Sequence, residues 1–275
     1  MTFTPPKDEQ PDLTDEVETS RAPLLDHLNE LRARLIKSLL ALTVATIASF
    51  FFAEDIYDLL VRPFAQVAEE IRGSQLEFIF TAPMEYFFAQ LKLAVFAGLF
   101  LAFPVIAWQV YAFVAPGLYK SERGAFWPYL VLAPILFALG ATFVYFMMLP
   151  MLARFTVSME HIEAAGTTIR MMPRVGDYLS LVMALMLAFG LSFQLPLVLT
   201  LLARIGVVSS SMLASGRKYA IVAILAFAAV FTPPDPMSQI LLAGPVYLLY
   251  EISIFCVKLI EKRATAEQSA PSPAP

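Results

Sequence analysis

At 275 residues, 59% of them hydrophobic and only 15% charged, the chain is too apolar for an ordinary soluble domain, where about 45–50% are apolar and about 25% charged. The formal net charge of −4 comes mainly from the N-terminal segment and points to no charged partner; nucleic acid is not expected. Cys256 is the single cysteine, which excludes an internal disulfide and a cysteine metal cluster, and His27 and His161 show no HExxH-like spacing.

In chain order, residues 1–23 are acidic and proline-containing and read as a disordered acidic cytoplasmic tail, with no cleavable signal peptide expected. The next stretch, Leu24–Leu35 (LLDHLNELRARL), carries Leu24, Leu28, Leu31 and Leu35 at i, i+4, i+7 and i+11, one stripe of an α-helix. Asp26 and Glu30 stand four apart, a like-charge spacing that disfavours an isolated helix by roughly 0.2–0.5 kcal/mol. Glu30 and Arg34 at the same spacing form a favourable pair. The stretch reads as an amphipathic helix at a membrane surface, leading into a first span at about 35–53.

The segment 54–81 is too polar to span and reads as an extramembrane loop with short helices. Further spans are expected at about 84–114, 125–149, 178–203, 219–234 and 237–257, followed by a disordered cytoplasmic tail at 259–275. The fifth and sixth are short: 16 uncharged residues separate Lys218 from Asp235, and 15 separate Asp235 from Glu251, against about 20 helical residues needed to cross. Glu251 is costly at such a depth unless paired. Pro104, Pro128, Pro134, Pro196 and Pro245 lie within or at the ends of spans, where an interior proline removes a hydrogen bond and kinks the helix. The inner segments carry thirteen lysines and arginines and the outer loops five, with Lys92 inside a span. The fold class is therefore all-α: a polytopic membrane protein of six transmembrane helices, kinked into a curved concave bundle, with both termini cytoplasmic.

Four stretches in order resemble the TatC family of the twin-arginine protein translocase. They are HLNELRARL (His27–Leu35), FVAPGLYKSER (Phe113–Arg123), DYLSLVMALMLAFGLSFQLP (Asp177–Pro196) and FTPPDPMSQ (Phe231–Gln239). The resemblance covers about residues 23–260. It implies export of folded proteins across the bacterial cytoplasmic membrane by the protonmotive force, without covalent chemistry, metal or cofactor. It also implies a multimeric complex with the single-span TatA and TatB subunits, and partners in twin-arginine signal peptides. By resemblance Glu30 and Glu122 receive the paired arginines, with Leu24, Arg32 and Phe113 at neighbouring receptor positions. The chemistry agrees, because a guanidinium binds a carboxylate bidentately. Salt bridges of Glu122 to Lys120 or Arg123 are the plainer alternative from spacing alone.

Pro63 and Asp235 match family positions on the outer side, where Asp235 equally suits a helix cap. Thr232 and Gln239 match the patch where single-span partners dock. Gln194 departs from the glutamate of some relatives; it keeps the polarity, cannot titrate, and equally suits an interhelical hydrogen bond. A secondary transporter for a small solute is the alternative function. It would need ion-coupling charges near mid-span, where only Gln194 is polar. An intramembrane enzyme would need a catalytic pair in the bilayer.

Overall fold

The computed structural model describes residues 13–74, 77–114, 126–160, 172–232 and 236–269, with side chains described over 27–74, 77–113, 127–160, 172–232, 236 and 238–263. Among these residues the secondary structure is helical apart from an isolated bridge between Ile79 and Arg174. The helices are α1 (Leu13–Phe50), α2 (Ala53–Arg72), α3 (Glu85–Val114), α4 (Phe126–Phe143), α5 (Leu149–Ser158), α6 (Val175–Ser192), α7 (Leu195–Arg204), α8 (Ser210–Ser215), α9 (Arg217–Phe231) and α10 (Pro236–Ser269). Five stretches are long and apolar enough to cross a membrane: His27–Phe50, Glu85–Phe113, Trp127–Ser158, Val175–Arg204 and Ser238–Arg263. The remaining expected span, the fifth, is α9, whose 15 residues extend about 22 Å at 1.5 Å per residue, short of the ~30 Å hydrocarbon core.

Several expected boundaries move. α1 is one continuous helix that starts at Leu13, inside the stretch expected to be a tail, and shows no break between the amphipathic segment and the span. α10 likewise passes the expected end near 257 and runs to Ser269, through the strong helix formers of the EKRATAEQ stretch. It also passes through Glu251, so the sixth helix is not short. Arg217 donates two hydrogen bonds to that carboxylate, at 2.7 and 2.9 Å, and the Tyr247 hydroxyl donates a third at 2.8 Å. A charge that ends an apolar run in the sequence does not end a helix when partners meet it.

The third span continues beyond the expected residue 149 to Ser158, by way of a π-helical turn at Val144–Met148 just before Pro150. A wider turn is a known response where a helix must accommodate a residue without an N–H. The fourth span is broken at Phe193–Gln194, because Pro196 at the start of α7 cannot donate back to Ser192. The 54–81 loop holds one 20-residue helix, α2, which buries Leu60, Pro63, Phe64, Val67 and Ala68 on one stripe. It ends at Gly73, whose φ of 67° places it in the left-handed region that glycine tolerates.

Packing joins α4 to α6 and α10 to α7 and α9, while α1 packs against α3. Two crossings are backbone-close. A Cβ on Gly140 of α4 would lie 2.6 Å from the Phe189 carbonyl oxygen of α6, and one on Gly98 of α3 would lie 2.6 Å from Thr46 Oγ1 of α1. Small residues at such crossings are how membrane helices gain contact without a hydrophobic drive.

The helices define two membrane faces. At one, the Glu85 face, α3 and α6 begin, and Val175 N–H donates to the Ile79 carbonyl at 3.0 Å. Arg72 and Glu160 form a largely buried ion pair there. At the other, the His27 face, α3 ends beside α1 and α7 ends at Arg204, whose guanidinium lies 5.6 Å from the Tyr129 ring of α4.

Candidate functional site

The amphipathic start of the first span meets the end of α3 through one ring contact. His27 stacks on Phe113, with centroids 4.3 Å apart and planes 22° from parallel. His27 and Glu30 are three apart and so share a helix face. The stack therefore sets Glu30 near the point where the chain leaves α3 and enters 115–125. Glu122 lies in that stretch, outside the described residues. The structure thus brings together Glu30 and Phe113, two of the five residues expected at the receptor surface.

Glu30 already has a partner, as its spacing to Arg34 predicts. Arg34 Nη2 donates to Glu30 Oε1 at 2.6 Å and Nε to the same oxygen at 2.9 Å. A guanidinium fork and a carboxylate match best when two oxygens are used. Here both bonds fall on Oε1, and Oε2 takes no contact among the described residues. The Glu30 side chain is 35% exposed, so a second guanidinium can reach the open oxygen without stripping a buried group. Arg32 is exposed on the same segment. Leu24 belongs to α1 by its backbone, and its side chain lies outside the described residues.

Among the described residues, the leucines of the stripe are largely left outward. Leu28, Leu31 and Leu35 are 58%, 43% and 65% exposed. An exposed apolar stripe beside an open carboxylate is a surface suited to a ligand that is both cationic and apolar, or to lipid.

The other expected residues lie apart from this cluster. Gln194 sits at the α6–α7 break, and its Nε2 donates to the Ala133 carbonyl of α4 at 2.9 Å, which is the interhelical hydrogen bond its polarity suggests. Thr232 is buried, and its hydroxyl donates to the Ala228 carbonyl one turn earlier at 2.9 Å. Gln239 at the start of α10 is half-buried and donates to the Leu225 carbonyl of α9 at 3.0 Å, tying these two helices together. Pro63 is buried on the packed stripe of α2. Asp235 lies outside the described residues.

Sequence reasoning missed His27 as part of this cluster, treating it only as a histidine without a metal-binding partner. Its spacing to Glu30 was the available signal. Phe113 as its stacking partner was not visible, because the contact joins residues 86 positions apart.

The chain is similar to known proteins over most of its length. The family model described as "Sec-independent protein translocase protein (TatC)" matches residues 26–245. The chain is 43% identical over 250 residues to the Sec-independent protein translocase protein TatC of Magnetococcus marinus, covering 91% of this chain and 89% of that protein. It is 39% identical to the Escherichia coli K12 protein of the same name, covering 85% of this chain and 87% of that one. A crystal structure of the "Twin Arginine Translocase Receptor- TatC" matches with a TM-score of 0.75 at 38% identity, over 85% of this chain and 98% of that one.

Proposed function

The chain belongs to the TatC family of Sec-independent protein translocase proteins, and from that premise we propose that it is the membrane receptor for signal peptides bearing paired arginines. It is the core subunit of a translocase that exports folded proteins across the bacterial cytoplasmic membrane using the protonmotive force. The His27 face is cytoplasmic, both termini lie on that side, and α9 is the fifth of six spans. The lysine and arginine distribution supports this orientation.

One observation supports the binding mechanism: the His27–Phe113 stack holds the half-used carboxylate of Glu30 near the end of α3, eight residues before Glu122 in the sequence. Glu30 takes one guanidinium through Oε2, and Glu122 takes its neighbour. Arg32, Leu24 and the exposed leucine stripe border the apolar part of the signal. The single-span TatA and TatB subunits dock where α9 and α10 meet, at Thr232 and Gln239. Pro63 shapes the α2 cap, and Asp235 caps the start of α10. Gln194 holds α4 to the broken fourth span and does not carry a proton.

The test is the affinity of a twin-arginine peptide for the purified chain in detergent. Glu30→Gln and Glu122→Gln should each weaken binding by roughly 10–150-fold, the equivalent of one charge-assisted hydrogen bond of about 1.5–3 kcal/mol. Unchanged affinity in both folded variants would remove these carboxylates from the receptor surface.

A further inference from the structure

Lys92 lies inside the α3 span, seven residues beyond Glu85, about 10 Å along the axis at 1.5 Å per residue. An ammonium at such a depth is costly unless it meets an anion or reaches the interface. The carboxylates in the spans are provided for. Glu251 is held by Arg217 and Tyr247, and Glu85 Oε2 accepts from Thr81 N–H at 2.8 Å and lies 3.4 Å from Arg174. Lys92 is exposed and makes no ion pair among the described residues.

Its surroundings have the form of a site. Lys92 lines a cleft of about 590 Å³ between α3 and α6, together with Glu85, Ser180, Phe88, Leu179 and Met183. Helical side chains lean toward the helix N-terminus, so a lysine here can snorkel toward the Glu85 end of the cleft. Ser180 is exposed and its hydroxyl makes no hydrogen bond among the described residues. Two unused donors, one cationic, therefore face one cleft. The rest of the lining is mostly apolar, and Phe88 is 55% exposed.

We propose that this cleft binds the phosphodiester of a membrane phospholipid from the leaflet on the Glu85 face. Lys92 and Ser180 donate to the phosphate oxygens, and an acyl chain lies along Phe88, Leu179 and Met183. Arg174, 3.4 Å from Glu85 and 3.9 Å from Asp177, offsets part of the carboxylate charge at this end of the cleft, and the Thr81 and Ala82 amides bind the Glu85 oxygen. Free phosphate would have no use for the apolar walls.

The test is native mass spectrometry of the full chain, released from detergent micelles containing phosphatidylglycerol or a diacylglycerol with the same chains. The parent should retain phosphatidylglycerol and not diacylglycerol. Lys92→Gln should reduce retention about tenfold or more, as loss of a charge-assisted contact implies, while Lys92→Arg keeps it. Arg154→Gln, which removes another cation near the Glu85 face, should have no effect. Equal retention of the two lipids by the parent overturns the proposal, whether or not the variants fold. So does equal loss in Lys92→Gln and Arg154→Gln. Carbodiimide crosslinking of Lys92 to an acidic residue of a co-purified helix, with lipid retention unchanged in Lys92→Gln, would make the anion a protein carboxylate and also overturns it.

Discussion

The α1–α3 pair and the α4–α6–α10 core are built from similarly apolar helices, yet they are packed very differently. Half of the most apolar window of Val175–Arg204 is buried, against 6% for His27–Phe50. The core closes on itself at Gly140, Gly190 and Phe189, and its interior polar groups are bonded within it, as Gln194 to Ala133 and Tyr178 to the Leu60 carbonyl at 2.8 Å. α1 leans on one neighbour through the Gly98–Thr46 crossing and the His27–Phe113 stack, with most of its surface left outward. The difference separates two tasks. The core supplies a scaffold, and the thinly packed first helix supplies surface for lipid and ligands.

Breaking the core should have the largest effect. Gly140→Val would drive a side chain into the backbone of α6, with a Cβ 2.6 Å from the Phe189 carbonyl oxygen and 2.9 Å from Gly190 Cα. Backbone on both sides cannot turn aside, so the cost should reach about 3 kcal/mol or more, the upper range for overpacking. The expected outcome is loss of monodisperse protein in detergent, read by size-exclusion chromatography and thermal unfolding. A variant that melts like the parent would show that the crossing yields.

The matching change at the thin contact should separate function from fold. Gly98→Val meets Thr46 at 2.6 to 2.7 Å, both hydroxyl and backbone, but among the described residues α1 packs mainly against α3 and is otherwise largely exposed. Thermal unfolding of the remaining bundle should shift less than for Gly140→Val. Twin-arginine peptide affinity should fall about tenfold as Glu30 moves away from the end of α3. Equal loss of stability in the two variants would erase the contrast between the regions.

The smallest expected effect is at Gln194. Replacing it by leucine removes one interhelical hydrogen bond, worth about 0.6–1.7 kcal/mol in membrane bundles, and leaves the Ala133 carbonyl with one partner fewer. Unfolding in mixed micelles should register a loss near 1 kcal/mol, with peptide affinity unchanged. A large loss of binding would move Gln194 from the scaffold to the receptor surface.

Much of this was legible in the residues. Long uncharged runs marked the spans, Pro196 marked a break, and the Glu30–Arg34 spacing predicted the pair that the structure contains. What composition concealed were contacts between distant residues. Glu251 looks like the end of an apolar run until Arg217, 34 positions earlier, is seen to neutralise it. The acidic and polar ends of α1 and α10 read as tails because low hydrophobicity outweighed local helix-forming character. At the candidate site the sequence offered Glu30 and Phe113 as separate positions, and only packing shows His27 joining them.

The central claim is that Glu30 recognises an arginine fork, and a double-mutant cycle tests it most directly. Affinity is measured for the parent and Glu30→Gln, each with a twin-arginine peptide and with the peptide carrying lysines at both positions. A lysine ammonium cannot make the two parallel bonds of the guanidinium. The account predicts a coupling of about 1–3 kcal/mol, the range for groups in direct contact, with Glu30→Gln weakening the arginine peptide and barely changing the lysine one. Additive effects, with Glu30→Gln reducing both affinities by the same factor, would contradict it and leave Glu30 as the helix-surface partner of Arg34.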